Sequence, residues 1–468
     1  MRTEWRKSKI KRKIIEKGGK AVSIEEVIAD ALKLVTPDEE ERERGKRAER
    51  TLRSRLDKVL EGTDISYEFV GSYARDTWLR GSLEIDVFLL FPLSYPTEEL
   101  EKKGLEIGIE VVDEHELRYA AHPYVHGKVE GVEVDVVPCY RIGDASEIRT
   151  AVDRTPLHHR WLKDRIKGKE NDVRLLKGFL KAGGIYGAEY RVKGFSGYLC
   201  ELLIVFYGSF LETVRAGRNL RRDTVIDVKA GKSYRQRGNE KLLVIDPVDE
   251  RRNVAANLSV DNLARFVQRC RAFLSSPSID FFRRVDAEVS LQEIERELER
   301  RYVYCLKTAR PDIVEDNLYT QLERGERKVF EHLQRLGFSP LRSASFADEE
   351  NCYILVEVAV RELSPVTRRM GPVFEDEKNV ERFLRKCRSR NQNPFIEDGR
   401  FWVYAERDVR FAGEAIERFA GREWRAFGKN LGECVKNGFK VLEGKSVTEC
   451  RNAFELAKFL GLTPDTGV

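Results

Sequence analysis

The sequence lacks the features that mark secreted, membrane-spanning and zinc-ribbon proteins. None of its 8 cysteines lies in a C-x-x-C pair, and they occur singly in apolar contexts, as at Cys139, Cys200 and Cys352. This usage argues against a zinc finger and a disulfide framework, and it makes a reducing cytoplasm the expected location. No apolar run reaches the ~18 residues of a membrane helix. We also find no internal repeat and no low-complexity segment.

The N-terminal segment, "MRTEWRKSKIKRKIIEKGGK", is basic and lacks the apolar core of a signal peptide. We expect residues 1–22 to form a disordered arm, with an RNA-contacting arm as the alternative. Over the whole chain, 84 Lys and Arg are opposed by 79 Asp and Glu, so the formal net charge is only +5. Balanced charge with local basic patches favours an RNA-binding enzyme, and an ion-paired surface of the thermophile kind is compatible with it.

The order of periodic segments predicts an α+β multidomain protein of about three cores, because 468 residues are too many for one. Strand-like segments alternate with helices up to residue 151, and helical periodicity dominates from 153 to 275. A β-α-β-β pattern, typical of a ferredoxin-like or RNA-recognition-like module, follows, and mixed short elements come after it. We therefore divide the chain into residues 1–22, 23–151, 152–284, 285–370 and 371–468.

Helix caps are predicted at two places. Before "DEEERERGKRAERTLRSRL", Thr36 is the expected N-cap, with Pro37 first in the helix and Glu39 at the capping-box position. In "DRTPLHH", Thr155 is the expected N-cap before Pro156, which would put the next histidine in the first helical turn.

Two acids stand one residue apart in the strand-like segment "EIDVFLLF". Because side chains alternate across a strand, Glu84 and Asp86 share one face. Carboxylates this close repel unless a cation lies between them, and Mg²⁺ prefers carboxylate and phosphate oxygens. Asp135 in "VEVDVVPCY" supplies a third acid on a second strand, which completes a two-metal site. For the Glu84–Asp86 pair alone, the alternative is an ordinary solvated strand face.

A turn precedes these acids in "VGSYARDTW". Gly71 allows unusual backbone angles and close approach of a phosphate, and Ser72 offers a hydroxyl. A helix predicted at "YARDTW" would add free N–H donors, and Arg75 can fork onto a phosphate. A phosphate cradle followed by metal-binding acids indicates transfer of a nucleotidyl group.

These motifs resemble known proteins. "GSYARDTWLRGSLEID" and "VEVDVVPCY" resemble the DNA-polymerase-β-type nucleotidyltransferase superfamily. Five further segments resemble the archaeal, class I CCA-adding enzymes, which are tRNA nucleotidyltransferases. They are "AVDRTPLHHRWL", "RLLKGFLKAGGIYGAEY", "GFSGYLCELLIVFYGSF", "IDPVDERRNVAANLS" and "RRMGPVFEDEKNV". The resemblance begins at about Ile24, and Glu84 agrees with the archaeal group.

The resemblance implies template-free addition of C, C and A to the 3′ end of tRNA from CTP and ATP. It implies a polymerase-β-like head, a helical neck, an α/β body and a ferredoxin-like tail, and a possible homodimer. It also assigns residue roles. Glu84, Asp86 and Asp135 are the implied catalytic carboxylates, with two Mg²⁺ ions. The implied nucleotide-binding residues are Ser72, Arg75, Thr155, His158, Lys177, Tyr186 and Arg252, of which the last reads the base.

Several of these residues have plainer interpretations. Without the resemblance, Lys177 would be a surface lysine and Tyr186 a packing aromatic, and Arg252 could pair with Asp249 or Glu250. His159 is expected to be solvated or packed, and Arg251 to contact phosphate or lie on the surface.

Basic and aromatic stretches leave further alternatives. "GRNLRRDTVIDVKAGKSYRQRG" and "RFLRKCRSRNQN" are either RNA-binding patches or flexible charged loops. "FWVY" and "NPFI" are expected to pack in a core, with base stacking as the alternative. Two other functions stay open, namely a different template-free enzyme, such as a poly(A) polymerase or an oligoadenylate synthetase, and an inactive RNA-binding protein.

Overall fold

The structure, a computed structural model, describes residues 23–119, 123–283, 289–450 and 452–463. The predicted arm at residues 1–22 lies outside this part of the chain. The described residues fall into two compact units. The first contains residues 23–188 and 192–283, and the second contains residues 189–191 and those from 289 onward.

The first unit starts with two side-chain-capped helices. The side chains of Ser23 and Asp38 each accept a hydrogen bond from the backbone N–H three residues on, and the glutamate at that position accepts one from the N–H of the cap residue. The prediction that Thr36 caps the second helix is wrong, because Thr36 ends the first helix in an extended conformation. Pro37 therefore precedes the cap. The helices of this unit are α1 (Ile24–Val35), α2 (Glu39–Val59), α3 (Gly71–Ala74), α4 (Thr97–Val111), α5 (Arg154–Leu162), α6 (Glu170–Ala182), α7 (Gly197–Tyr207), α8 (Phe210–Gly217) and α9 (Val260–Ser275).

A five-stranded sheet carries the three acids. Its order is β1-β2-β5-β4-β3, with β2 and β5 parallel and the other neighbours antiparallel. Alternate residues such as Ile85 are buried on the face covered by α2 and α4, so the acids line the other face. The strands of the first unit are β1 (Ser66–Val70), β2 (Glu84–Phe91), β3 (Glu114–Tyr119), β4 (Pro123–Val129), β5 (Val132–Tyr140), β6 (Thr224–Asp227), β7 (Lys232–Arg235) and β8 (Leu243–Ile245).

Helices α5 to α9 share one core with α1, centred on aromatic residues such as Phe179, Phe210 and Phe273. A small sheet, β7-β6-β8, interrupts this helical segment. The sequence did not reveal it, because strands of three or four residues are too short to show period-2 alternation. The basic stretch at 217–238 thus forms β6 and β7 rather than a flexible loop.

The second unit contains a ferredoxin-like sheet. Strands β9, β10, β11 and β15 are antiparallel in the order β10-β11-β9-β15, and α11, α13 and α14 pack together beside them. The predicted β-α-β-β pattern is confirmed, and the fourth strand comes from the segment beyond residue 371. The elements of this unit are α10 (Leu291–Arg300), β9 (Tyr302–Ala309), α11 (Glu315–Leu336), β10 (Pro340–Ala347), β11 (Asn351–Val358), β12 (Val366–Val373), α12 (Glu377–Ser389), β13 (Pro394–Glu397), β14 (Arg400–Glu406), α13 (Ala412–Arg422), α14 (Lys429–Asn437), β15 (Phe439–Glu443) and α15 (Ala453–Leu460).

The two aromatic motifs lie in a second sheet of this unit, β12-β14-β13, which packs against α12. Val403 is buried, whereas Tyr404 is 56% exposed. The guanidinium of Arg368 lies 4.2 Å from the ring centroid of Trp402. The expected core packing is therefore wrong for Tyr404, and Phe395, Phe401 and Trp402 are only partly buried.

All 8 cysteines are free thiols, and the sulfur atoms of Cys305 and Cys450 are 3.1 Å apart. Among the described residues, no single helix is long and apolar enough to cross a membrane. Helices α7 and α8 together have the length and apolar composition of a membrane span, but the chain bends by 94° between them.

Candidate active site

The three acids of the five-stranded sheet lie together. The parallel register of β2 and β5 places Asp86 opposite Asp135, and Glu84 lies on the same face opposite Glu133. Burial of the carboxyl group, followed by the charges of Glu84 and Asp135, raises the pKa of Asp86 to about 7. Burial also raises the pKa values of Glu84 and Asp135. Three mutually repelling carboxylates of this kind form a site with a strong preference for a cation.

A histidine that the sequence analysis did not single out completes this cluster. His126 of β4 lies opposite Asp135, and its Nδ1 is 2.6 Å from the Asp135 Oδ1. Its Nε2 lies 3.0 Å from the Glu133 Oε2. The ligand atoms of Glu84, His126 and Asp135 all lie within 4.8 Å of one another. The sequence alone could have placed His126 opposite Asp135, because the tight Glu130-Gly131 turn between β4 and β5 fixes the register of the two strands.

The turn before β2 brings the backbone against this cluster. Gly71 has a φ of +71°, and a Cβ atom there would lie 1.8 Å from the Asp86 Oδ2. Only glycine allows this approach. The predicted helix at "YARDTW" is wrong in position, because the single helical turn begins at Gly71 and ends at Ala74. Ser72 is half-buried in this turn, and its carbonyl accepts a hydrogen bond from the Thr77 N–H.

Arg75 and Lys177 meet at a buried glutamate of α7. The Arg75 guanidinium forks onto Glu201, with distances of 3.2 and 2.9 Å, and its third nitrogen lies 3.3 Å from His159 Nδ1. Lys177 donates to the Thr77 carbonyl at 3.0 Å, and the Thr77 hydroxyl donates to Glu201 at 2.6 Å. Burial favours a higher pKa for Glu201, but Arg75 and Lys177 outweigh it and hold that pKa below the ordinary value.

Lys177 is therefore a buried residue of α6, with 2% of its side chain exposed, and the surface interpretation is wrong. Its pKa is lowered by burial. A Cβ atom on Gly197, at the start of α7, would lie 3.3 Å from the Tyr186 hydroxyl and 3.7 Å from the Lys177 Nζ. The Tyr186 hydroxyl and the Lys177 ammonium group thus both lie beside the start of α7. His159 is buried, and burial lowers its pKa to about 4.

His158 and Arg252 meet at another buried acid, Asp246. The His158 Nε2 lies 2.8 Å from the Asp246 Oδ2, and an Arg252 N–H donates to the same oxygen at 2.8 Å. The alternative interpretation, in which the Arg252 side chain pairs with Asp249 or Glu250, is wrong, because it pairs with Asp246 and the Arg251 side chain pairs with Asp249.

The expected N-cap role of Thr155 is wrong. Helix α5 already includes Arg154, so Thr155 and Pro156 are its second and third residues, and His158 lies beyond its first turn. The residue before the helix, Asp153, is buried, and its carboxylate is satisfied by hydrogen bonds from the backbone N–H groups of residues 140, 149 and 150 rather than by the helix.

The chain matches three family models, which follow one another along it. The nucleotidyltransferase domain matches residues 48–158. The second domain of tRNA nucleotidyltransferase matches residues 171–283, and the C-terminal domain of the CCA-adding enzyme matches residues 299–444. A solved structure of the Cid1 poly(U) polymerase covers 55% of this chain and 98% of its own, at 15% identity and a TM-score of 0.44, which is too low to carry an argument.

The chain is also similar to archaeal proteins along most of its length. It is 55% identical over 444 residues to the CCA-adding enzyme of Archaeoglobus fulgidus, covering 94% of this chain and 100% of that protein. It is 39% identical over 410 residues to that of Methanocaldococcus jannaschii, covering 83% and 88%. These similarities do not favour the poly(A) polymerase alternative. The chain belongs to the family of archaeal CCA-adding enzymes, and it is a tRNA nucleotidyltransferase that adds CCA.

Proposed function

We propose that Glu84, Asp86 and Asp135 bind two Mg²⁺ ions, and that C, C and A are all added to tRNA at this one centre. The observation that carries this proposal is the register of β2 and β5, which gathers three carboxylates on one face. Their oxygen atoms are the ligands that Mg²⁺ prefers, and their raised pKa values fit a site that is stable when a cation is bound. When bound, divalent ions supply activation of the tRNA hydroxyl and charge stabilisation at the leaving phosphate.

This proposal is tested by removing divalent ions with EDTA and restoring Mg²⁺, Mn²⁺ or Ca²⁺ one at a time. The readout is incorporation of labelled CMP and AMP into tRNA that lacks its tail. We expect EDTA to stop both additions and Mg²⁺ to restore both. Addition that continues in EDTA, or an ion that restores only one of the two nucleotides, would contradict a single shared metal centre.

The remaining site residues are proposed to hold the nucleotide. Ser72 offers its hydroxyl to the triphosphate, and Arg75 supplies positive charge from a side chain that is 8% exposed and that Glu201 fixes. Lys177 and Tyr186 are proposed to act together, which their convergence at the start of α7 supports. Thr155 and His158, both on α5, are proposed to contact the nucleotide as well.

Arg252 is proposed to read the incoming base. Its side chain is 39% exposed, and Asp246 engages one of its N–H groups. The other guanidinium donors find no partner among the residues that the structure describes, so they are available to a ligand. Cytosine and adenine present a ring-nitrogen acceptor on the edge where uracil and guanine present an N–H, so a guanidinium there favours the first pair.

Replacing Arg252 with Ala tests this role. We expect the ratio of kcat/KM for CTP over UTP, and for ATP over GTP, to fall about tenfold to a hundredfold, because a charged hydrogen bond is lost. Arg251→Ala is the matched control, since its side chain is 83% exposed and pairs only loosely with Asp249. Unchanged ratios combined with weaker tRNA binding would make Arg252 a contact to the RNA backbone.

We further propose that the protein works in the cytoplasm as a homodimer, with residues 23–151 as the catalytic head and 152–284 as the neck and the start of the body. Eight free thiols fit a reducing compartment. The resemblance to class I enzymes supports the dimer. Light scattering on the purified full-length chain measures its mass directly, and a monomer at micromolar concentration would contradict the dimer.

A further inference from the structure

Asp246 is a buried carboxylate that collects donors from three parts of the first unit. Its side chain has no exposed surface. Besides His158 of α5 and Arg252, it accepts a hydrogen bond from the Tyr198 hydroxyl of α7 at 3.3 Å and from the Val248 N–H at 3.1 Å. Four donors on one carboxylate saturate it, so its position is strongly fixed.

The loop that carries Asp246 and Arg252 is closed at its base. The Asp246 N–H donates to the Arg252 carbonyl at 3.1 Å, and Ile245 forms a bridge with Asn253. A second ion pair, from Arg154 of α5 to Asp249 at 3.0 Å, ties the loop to the same helix as His158. The backbone hydrogen bond and the bridge hold both ends of the loop without the help of this ion pair, so they fix the point from which the Arg252 side chain extends.

The charge state of this cluster follows from its contacts. Burial alone would raise the pKa of Asp246, but the hydrogen bonds from His158, Val248 and Arg252 outweigh it and lower that pKa to about 2. Burial lowers the pKa of His158, against the hydrogen bond and the charge of Asp246, which raise it. Because an ionised carboxylate only accepts hydrogen bonds, the Nε2 carries the proton that lies between the two side chains. The His158 ring stacks on Tyr198, with centroids 4.1 Å apart.

We propose that Asp246 is the positioning residue for base choice: it holds one edge of Arg252 and so aims the remaining guanidinium donors at the incoming base. This inference rests on the proposed role of Arg252. An arginine side chain has many rotamers, and a free one adapts to whichever base enters. A guanidinium fixed by a buried carboxylate cannot turn away from the N–H of uracil or guanine, so the wrong base meets an unpaired donor.

The test is Asp246→Asn in the full-length enzyme. Asparagine has the same shape but only one acceptor oxygen, so it cannot satisfy all four donors, and its NH₂ group repels the N–H groups that it faces. We expect the CTP-over-UTP and ATP-over-GTP ratios of kcat/KM to fall about tenfold, the cost of one charged hydrogen bond. The loss should arise mainly from faster use of the wrong nucleotide and a higher KM for the right one, with tRNA affinity unchanged.

Asp249→Asn is the matched control, because the same substitution three residues away breaks ion pairs to Arg154 and Arg251 but leaves the Asp246–Arg252 pair in place. We expect its ratios to stay at the wild-type values. The double variant Asp246→Asn/Arg252→Ala should show the same ratios as Arg252→Ala alone, because the carboxylate acts through the guanidinium.

The outcomes separate this inference from the proposed role of Arg252. If Arg252→Ala leaves the ratios unchanged, the base-reading role itself fails. If Arg252→Ala lowers them but Asp246→Asn does not, Arg252 reads the base without help and the positioning role is wrong. If Asp246→Asn does not fold, Asp246→Ser, which is smaller, replaces it. Failure of both to fold, or equal loss with all four nucleotides, would make Asp246 a stability residue and overturn the inference.

Discussion

Replacing Gly71 with Ala tests how the turn and the carboxylates depend on each other. At a φ of +71°, an L-residue costs about 1–2 kcal/mol relative to glycine. The added Cβ would also lie 1.8 Å from the Asp86 Oδ2 and 2.7 Å from its Cγ. No van der Waals contact is that short, so the carboxylate must move by more than about 1 Å, a displacement that can cost a hundredfold in rate.

Gly81→Ala is the matched control. Gly81 has nearly the same φ, +72°, and a Cβ there would have no atom within 4 Å. The Gly81→Ala variant therefore has the same backbone strain as Gly71→Ala, but its new Cβ does not contact Asp86. Both variants should therefore lose the stability that the backbone strain costs, Gly71→Ala should lose more because of its contact with Asp86, and only Gly71→Ala should lose activity.

The assay is single-turnover addition of CMP to tRNA that lacks its tail, at saturating CTP and Mg²⁺. We expect a loss of about a hundredfold or more for Gly71→Ala and a rate near that of the wild type for Gly81→Ala. A Gly71→Ala enzyme of normal rate, or equal loss in both variants, would refute the reasoning that the glycine exists to admit the Asp86 carboxylate.

Three further predictions concern the buried network, the histidine and the RNA. Glu201→Gln removes the counter-charge of Arg75 and Lys177 and should cost about 3–5 kcal/mol in the free energy of unfolding; a loss under about 1 kcal/mol in urea titration would contradict the ion network. His126→Gln should lower the rate of addition at least about tenfold, because a partner that orients Asp135 is lost, whereas tRNA affinity should be unchanged; a normal rate at limiting Mg²⁺ would count against it. Binding of tRNA should weaken steeply with salt and should vary little with the sequence of the tRNA body; a flat salt titration or a strong preference for one tRNA at matched salt would argue against general phosphate contacts.

The sequence predicted the carboxylate site because strand periodicity is local. Alternation within β2 places Glu84 and Asp86 on one face, and Asp135 follows from the same rule in β5. The β4–β5 hairpin, which brings His126 opposite Asp135, also joins residues that are close in sequence, so His126 could have been predicted in the same way. Lys177 also carried a local signal, since Val173 lies four residues earlier on the buried face of α6.

The buried acids could not be found in this way. Arg75 and Glu201 are 126 residues apart, and His158 and Asp246 are 88 apart, so no period or turn relates them. The two cap predictions failed for different reasons. At the start of α2 a neighbouring residue makes the cap, because Asp38 accepts a hydrogen bond from the N–H of Glu41 three residues on. At α5 there is no cap at Thr155, because a 3-10 turn over residues 151–153 runs directly into a helix that begins at Arg154.

The central claim is that Glu84, Asp86 and Asp135 form one centre that adds both nucleotides. It is tested most directly by measuring CMP and AMP addition with Asp86→Asn and Asp135→Asn enzymes whose tRNA affinity is checked in parallel. Glu133→Gln, on the same strand and face as Asp135, is the control, because the glutamine oxygen still accepts a hydrogen bond from His126 while the charge is removed. We predict that each aspartate variant loses both additions and still binds tRNA, whereas Glu133→Gln keeps both. Near-normal addition of either nucleotide by an aspartate variant would contradict the account.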